Sequence, residues 1–335
     1  MTLSRTLGSI WFLSALIWWC APVAQAQDKI RLGLSSATAM NTTNWVAEER
    51  GFFRKYGLDT EVIITGQGGV PGMSALLAGD IQLLSGSGDL MVASALRGGD
   101  SIMIAGTVNK GLQRVLVKPD IKTPADLKGK RIGVTRIGAI SHVVLAMMLP
   151  RWKMSANDIQ VVQAGSSPNM LASLEKGGID AAVMSIPTMF VAEDRGYRVL
   201  LDMADTDIYY LHSILGTTRA YIRTNRDKVL RFLKAITESM AYVKQHRKES
   251  ADIVKKKLRI SGSEQERNLD RSIELLATKY YEQVPYTSQR GVETILSHLE
   301  KDNPKAKSAD PKSFYDDSFL REIEASGLVK ALYQK

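Results

Sequence analysis

Short apolar segments alternate with helix-like segments in two successive rounds from residue 29 onward. In the first round the strand-like sequences include "KIRLGLS", "DTEVIITG", "IQLLSG" and "SIMIAGTV", and "NWVAEERGFFRKYG" reads as one of the helices between them. The second round contains "RIGVT", "IQVVQAG", "DAAVMS" and "YRVLLDM" as its strands. This alternation predicts an α/β fold with largely parallel sheets. Beyond about residue 224 the sequence becomes a series of long, charged helices with few glycines.

The two rounds resemble each other internally. "GGVPGMSALLAGDIQLLSGS" (68–87) and "GSSPNMLASLEKGGIDAAVMS" (165–185) both contain a glycine, the pattern Pro-x-Met-x-Ala-x-Leu, and a short apolar strand that ends in serine. One interpretation is an internal duplication, and the other is the general similarity of any two βαβ segments. Two α/β lobes of similar design would hold a ligand between them, because open sheets bind at the carboxyl ends of their strands.

Residues 1–26 have the features of a secretory signal peptide. Arg5 supplies a positive charge, "LGSIWFLSALIWW" an apolar core, and Ala24–Ala26 ("AQA") a small-residue cleavage site, so we expect cleavage after Ala26. A membrane anchor is the alternative, but the apolar run is short for a span of roughly 20 residues. Lipid attachment at Cys20 is disfavoured because Trp19 precedes it. Since Cys20 is the only cysteine, the mature chain would have no disulfide, thiolate nucleophile or cysteine metal site.

The charge and the motifs argue against nucleic-acid binding and catalysis. Without Arg5 the chain has 43 basic and 35 acidic residues, a net charge of +8, and its densest basic runs, "KQHRKES" and "KKKLR", read as solvated helix faces rather than a nucleic-acid groove. The four histidines are scattered, no histidine pair has metal-ligand spacing, and no Walker loop or G-x-S-x-G motif occurs. We therefore expect no catalytic residue, cofactor or metal.

Glycine- and serine-containing turns follow six of the strands and precede helices. They are "SSATAMNTTN", "GQGGVPG", "GSGD", "TRIGAISH", "GSSPN" and "SIP". Helix N-termini present unpaired N–H groups and the positive end of the helix dipole, which suit an anion or another acceptor-rich ligand. Ordinary capping and turn chemistry is the better explanation for any one of these turns, but the convergence of six at strand ends favours a ligand-binding cleft.

Several longer segments resemble one family of proteins. "AEERGFFRKYGLDTEVI", "ALLAGDIQLLSGSG", "ADLKGKRIGV", "GGIDAAVMSIP" and "KQHRKESADIVKKKL" are similar to the nitrate/sulfonate/taurine-type periplasmic solute-binding proteins of ABC importers, also called thiamine-pyrimidine-synthase-like. The resemblance covers nearly all of residues 29–300. It implies a two-lobed, type II-like periplasmic binding protein with two hinge crossings, near 112–115 and 211–215, and C-terminal helices packed on the first lobe. The implied divisions are 27–112 plus 214–335 for lobe I and 113–213 for lobe II.

The resemblance also implies a set of ligand contacts at the turns. These are Ser36, Thr38, Asn41, Ser87, Gly88, Gly138, Ser141, His142 and Ser185, and Arg136 could add charge. Sulfonate-type members usually place serines where this chain has Ala139 and Ile140, so two hydroxyl donors are absent and an apolar wall could replace them. Ser185 stands where relatives often have Trp or Asp. We therefore expect a small organic anion with an apolar part, which is bound rather than transformed.

The implied partners are the small solute and an inner-membrane ABC permease, and we expect a periplasmic monomer that does not bind nucleic acid. Two alternatives remain open. Pyrimidine synthases share the scaffold, but they have a cysteine-rich motif, and the mature chain would have no cysteine. A periplasmic sensor using the same lobes is compatible with every motif described above.

Overall fold

Two five-stranded mixed sheets form the centres of two lobes. The structure, a computed structural model, describes residues 27–66, 69–301 and 303–334, so the predicted signal peptide lies outside the described residues. The first sheet has the spatial order β2 (Leu58–Ile64), β1 (Asp28–Leu34), β3 (Leu83–Gly86), β10 (Tyr209–Thr218), β4 (Ser101–Lys110). The second has the order β7 (Gln160–Gln163), β6 (Arg131–Val134), β8 (Ala181–Met184), β5 (Arg114–Val117), β9 (Arg198–Asp202).

Each sheet contains one strand that runs against its neighbours. β10 is antiparallel to β3 and β4, and β5 is antiparallel to β8 and β9. The remaining pairs, β1 with β2 and β3 and β6 with β7 and β8, are parallel. The α/β prediction is therefore confirmed, and each sheet is mixed because the strand by which the chain enters it from the other lobe, β5 or β10, is antiparallel to its neighbours.

The helices of the two lobes lie between these strands. In the first lobe they are α1 (Thr42–Glu49), α2 (Phe52–Lys55), α3 (Val70–Ala78) and α4 (Gly88–Leu96). In the second they are α5 (Ile140–Arg151), α6 (Ser167–Glu175) and α7 (Thr188–Asp194). The single helix expected for "NWVAEERGFFRKYG" is in fact two, because Gly51 has φ of 72° and interrupts the helix between α1 and α2.

The chain passes between the sheets twice, at residues 111–113 and 203–208. The first passage lies at the predicted hinge near 112. The predicted second hinge, 211–215, lies inside β10, which already pairs with the first sheet from Tyr209, opposite Lys110. The predicted division into lobes at residues 112 and 214 stays a prediction, and on this pairing we propose that the second boundary falls near residue 208.

The C-terminal helices return to the first lobe, as expected. They are α8 (Arg219–Gln245), α9 (Arg247–Leu258), α10 (Ser263–Leu275), α11 (Gln289–Leu299), α12 (Lys305–Ser308), α13 (Ser318–Ala325) and α14 (Leu328–Tyr333). α8 begins at Arg219, earlier than the sequence pattern indicated. It packs on α1 and α2, where Phe232 stacks on Phe53 with ring centroids 5.4 Å apart. This buried aromatic pair holds α8 against α2.

A solute-sized cavity between the lobes

A cavity of about 860 Å³ lies between the lobes, at the carboxyl ends of β1, β3 and β8. The loops that follow these strands, the crossing strand β10 and helix α10 form its walls. The lining residues are Ser35–Asn41, Gly69, Ser85–Ser87, Leu90, Leu112, Ser185–Pro187, Val191, Arg195, His212, Ser213, Leu258, Ile260, Glu264, Gln265, Asn268, Leu269 and Ser272. A volume of this order suits a small organic molecule.

The loop after β1 is held in shape by its own polar groups. The Asn41 Nδ2 donates to the Ser36 carbonyl oxygen at 2.7 Å, and the Ser36 and Thr38 hydroxyl oxygens are 3.4 Å apart. A short 3₁₀ helix, Ala39–Asn41, then leads directly into α1. These bonds hold the loop at the edge of the cavity, and the first N–H group of α1, that of Thr42, is paired with the Ala39 carbonyl oxygen.

A buried network of polar side chains supports the floor of the cavity. The Ser85 hydroxyl, at the end of β3, donates to Asn41 Oδ1 at 3.0 Å. Asn44 on α1 donates from Nδ2 to both Ser85 Oγ and Asn41 Oδ1, at 3.0 and 3.1 Å. All three side chains are buried. The network joins the loop after β1 to the end of β3, so these two parts of the first lobe are fixed relative to each other.

The second lobe contributes a largely apolar wall. Ile186 and Pro187, joined by a cis peptide bond, follow β8 and line the cavity together with Val191 of α7. The Ser185 N–H donates to Ser167 Oγ at 3.3 Å, which ties the turn to the start of α6. The apolar wall expected at Ala139 and Ile140 is not part of this lining, and an apolar part of the solute stays a prediction.

The third wall, α10 and the segment before it, was not predicted from the sequence. It contributes Leu258, Ile260, Glu264, Gln265, Asn268, Leu269 and Ser272. α10 contacts both α7 of the second lobe and the 3₁₀ helix 39–41 of the first. One signal could have revealed it: Asn268 and Ser272 are polar residues at i, i+4 on the face that otherwise carries Leu269 and Ile273.

The interior of the cavity contains few charges. Among the lining residues that the structure describes, only Arg195 and Glu264 have charged side chains, and both are exposed. Arg195 also forms an ion pair with Glu175. Burial lowers the pKa of His212 to about 4, against the nearby Asp89 carboxylate, which raises it, so this imidazole is neutral at pH 7. The start of α4, which Ser87 precedes without a side-chain cap, therefore offers backbone N–H donors rather than a charged side chain.

Half of the predicted site residues line this cavity. They are Ser36, Thr38, Asn41, Ser87 and Ser185. Gly88 lies directly behind Ser87, where α4 packs against β10 so closely that a Cβ atom would be 2.4 Å from the Leu211 Cβ. Glycine at this position serves the packing of the helix, and Ser87 presents the side chain to the cavity.

The turn "TRIGAISH" lies outside the cavity lining and is closed by its own hydrogen bonds. Ser141 Oγ accepts from the Thr135 N–H at 2.9 Å, and His142 Nδ1 accepts from the Gly138 N–H at 3.2 Å. Arg136 and Gly138 are exposed to solvent. His142 instead lines a separate groove of about 550 Å³ between α5 and α11. Contact of these four predicted residues, Arg136, Gly138, Ser141 and His142, with a solute stays a prediction.

Two further searches give negative results within the described chain. Across residues 27–66, 69–301 and 303–334, no three His, Cys, Asp or Glu side chains are grouped so that they could hold a metal ion. In the same ranges, no helix has the length and apolar character needed to cross a membrane.

Two α/β lobes joined by two crossings around a polar-and-apolar cavity form the two-lobed fold of periplasmic binding proteins. Comparison with known proteins agrees with this class. Residues 40–250 match the family model described as NMT1/THI5 like, and the chain belongs to that family.

Two relatives and one solved structure, all named as binding proteins, are similar to this chain. A binding protein of Brucella abortus is 25% identical over 309 residues, covering 90% of this chain and 95% of the relative. The taurine-binding periplasmic protein of Escherichia coli is 30% identical over 129 residues, 38% of this chain and 39% of the relative. The solved structure of the periplasmic aliphatic sulphonate binding protein of E. coli superimposes with a TM-score of 0.68 at 19% identity, covering 83% of this chain and 88% of that chain. The predicted family resemblance and fold are confirmed.

Proposed function

We propose that the protein is the solute-binding component of an ABC importer. It captures a small organic anion with an apolar part between its lobes and delivers it, unchanged, to an inner-membrane permease. The observation that carries the proposal is the cavity itself, in which the start of α4 in the first lobe and an apolar wall of the second lobe face one space between the lobes. Relatives whose names state that they bind taurine or sulphonates support the same class of solute.

The proposed charge of the solute follows from the helix starts. Ser87 precedes α4 without a side-chain cap, so the first N–H groups of that helix are available to an acceptor. The dipole of α4 favours negative charge at this end, and the Asp89 carboxylate in the first turn offsets part of that effect. Because the interior side chains are neutral, a single anionic group held by N–H donors fits better than a multiply charged solute.

The proposed location and partners complete this function. We propose that the chain is exported, that its signal peptide is cleaved after Ala26, and that the mature protein works in the periplasm as a monomer. The periplasmic relatives support this location. Binding without chemical transformation is part of the same proposal.

A thermal-shift screen of the mature protein tests the proposal. The set contains sulfonates, taurine, nitrate, bicarbonate, aliphatic and aromatic carboxylates, and pyrimidines, each applied before and after unfolding and refolding to remove a co-purified solute. A solute at a hundred times its dissociation constant stabilises by about 2.7 kcal/mol, a shift of several degrees. We expect a saturable shift with organic anions.

Two variants locate the binding site. Ser36→Trp places a large ring in the cavity and should abolish the shift, whereas Ser308→Trp, an exposed position on α12, should leave it unchanged. A shift that survives Ser36→Trp would place the solute elsewhere. The absence of any shift with the refolded protein would contradict anion capture.

A further inference from the structure

Four branched aliphatic side chains line the interlobe cavity. Two belong to the second lobe, at the turn after β8 and on α7, and two belong to the segment that joins α9 to α10. They are Ile186, Val191, Leu258 and Ile260, and we call them the apolar patch. Each is partly exposed, and each also packs against the buried core. The apolar patch is therefore a surface that a solute in the cavity can reach.

A turn at the end of α9 fixes the backbone of two of these residues. Arg259 has φ of 53° and ψ of 40°, in the left-handed region. Its N–H donates to the Lys256 carbonyl oxygen at 3.3 Å, and the Ile260 N–H donates to the Lys255 carbonyl oxygen at 3.0 Å. These are the two hydrogen bonds of a Schellman motif. Because the turn is closed by both bonds, Leu258 and Ile260 are held at the cavity on either side of it.

The elements that carry the apolar patch are neighbours across the boundary between the lobes. α10 contacts both α7 and α9, and the Arg271 guanidinium of α10 lies 4.3 Å from the ring centroid of Phe190, the residue before Val191. Scattered exposed apolar residues are common on proteins, but an apolar surface with a polar rim is typical of a ligand-binding groove. Glu264 and Gln265, both exposed, provide such a rim on α10.

The polar lining of the first lobe lies on other elements than the apolar patch. Ser36 and Thr38 belong to the loop after β1, and Ser87 precedes α4. A solute with its anionic group at the start of α4 therefore needs a second, apolar end to reach the patch. The cavity of about 860 Å³ has room for an organic molecule considerably larger than taurine.

We propose that the apolar patch is a specificity-determining subsite, which holds a butyl or longer alkyl chain, or an aromatic ring, of the anionic solute. The inference rests on the function proposed above and narrows it from small organic anions in general to those with an extended hydrocarbon part. Burial of that part between α7 and the segment after α9 also rewards closure of the lobes, because the patch has residues on both sides.

Two series of anions with a common charged group and different hydrocarbon parts test the inference. One contains methane-, butane-1-, hexane-1- and benzenesulfonate, and the other contains acetate, pentanoate, heptanoate and benzoate. Isothermal titration calorimetry with the refolded mature protein measures each dissociation constant. Full burial of one methylene group strengthens binding about fourfold. In at least one series, the wild type should therefore bind a longer or aromatic member at least about tenfold more tightly than the methyl member.

Variants of the patch locate the hydrocarbon part. Val191→Thr and Ile260→Thr place a hydroxyl group in the patch, so each should reduce the affinity ratio between the tightest and the methyl member by about threefold or more. The affinity for the methyl member should change little. Ile260→Leu keeps the surface apolar and should keep the ratio. Matched controls are Val199→Thr and Ile64→Thr, at exposed positions outside the cavity lining, and both should behave as the wild type.

The affinity ratio separates a solute contact from a structural role, because it compares two anions on the same folded protein. Threonine variants that keep the wild-type ratio would overturn the subsite. So would a wild type that binds the methyl member as tightly as the longer members, and either result would leave anion capture intact. If the wild type binds no anion of either series, the proposed anion capture fails, and the inference fails with it.

Discussion

At the scale of single residues, the protonation state of His212 affects the charge of the cavity lining. It lies on β10, with its side chain at the cavity, and its neighbour Ser213 forms a hydrogen bond with Thr107 Oγ1 at 2.9 Å. Burial lowers the pKa of the imidazole to about 4, and the Asp89 carboxylate on α4 opposes this only in part. A neutral imidazole offers one donor and one acceptor rather than a charge. His212 therefore contributes hydrogen bonding, not attraction, to an anionic solute.

This pKa predicts an acid-dependent loss of stability. Because the folded pKa is below the unfolded value of about 6.5, the unfolded state binds more protons between pH 6.5 and pH 4, and stability falls as the pH falls through this range. Solvent still reaches part of the His212 side chain. We therefore expect this pKa difference to contribute about 1 to 2 kcal/mol to the free energy of unfolding. His212→Gln should make the melting temperature fall less steeply from pH 6.5 to 4.5. An unchanged slope would contradict the neutral buried state.

His142 serves as the comparison for this measurement. Its pKa is also lowered, first by burial and then by His298 and Lys301, but it lies in the groove between α5 and α11. The dependence of the melting temperature on pH, measured for His142→Gln and for the double variant, separates the contributions of the two histidines. Additive changes are expected because the residues lie in different grooves.

At the scale of elements, the two lobes repeat one βαβ arrangement. β1 and β6 occupy the second position of their sheets, and β3 and β8 the third. In the first lobe, a Cβ atom on Gly33 of β1 would be 2.4 Å from Cδ1 of Ile81, which lies just before β3. In the second lobe, a Cβ atom on Gly133 of β6 would be 2.6 Å from Cδ1 of Ile179, which lies just before β8. The same close contact at corresponding places favours duplication over chance similarity.

This contact can be tested in the second lobe. Gly133→Ala should destabilise the protein by about 1 to 3 kcal/mol, because overpacking a dense core forces its neighbours to move. Ile179→Val removes the Cδ1 atom in the way, so the double variant should be more stable than the sum of the two single effects predicts. Denaturant unfolding of the four proteins measures this coupling. Simple additivity would show that Ile179 is not the residue that excludes a side chain at position 133.

At the scale of the whole molecule, ion pairs between α10 and α7 connect the two lobes. Arg271 donates to Glu193 Oε2 at 2.9 Å and to Asp194 Oδ1 at 2.7 Å, and its guanidinium lies 4.3 Å from the Phe190 ring centroid. Arg114, on β5, reaches Glu193 from the other side. Because these groups are partly buried and share hydrogen bonds, they contribute more than exposed surface pairs. The arrangement should favour the closed position of the lobes.

Breaking this connection should change the balance between open and closed lobes. Because the mature chain is expected to lack cysteine, cysteines at exposed Asp59 and Asn157 can carry spin labels, one in each lobe. Loss of about 1 kcal/mol in Arg271→Gln should shift the populations roughly fivefold toward open. Pulsed electron paramagnetic resonance would show this as a changed distance distribution. Arg223→Gln, an exposed position on α8, should resemble the wild type, and equal distributions in all three would contradict a role for Arg271 in closure.

Much of the fold follows from local patterns in the sequence. Strand and helix periodicities depend on neighbouring residues, so both rounds of alternation, the order of the elements and the turns after β1, β3 and β8 could be predicted, and five of the ten predicted site residues line the cavity. The break at Gly51 is a local conformational choice that the helical pattern obscured.

Only the tertiary structure decided which turns face the cavity and what completes it. Ser141 and His142 stand at a helix start, as predicted, but they bond to Thr135 and Gly138, and this choice depends on side-chain geometry that the sequence order does not contain. The wall formed by α10 arises because helices more than 200 residues after β1 return to the first lobe. Contacts between such distant segments depend on how whole surfaces pack, so α10 could be recognised as part of the cavity wall only after the fold was known.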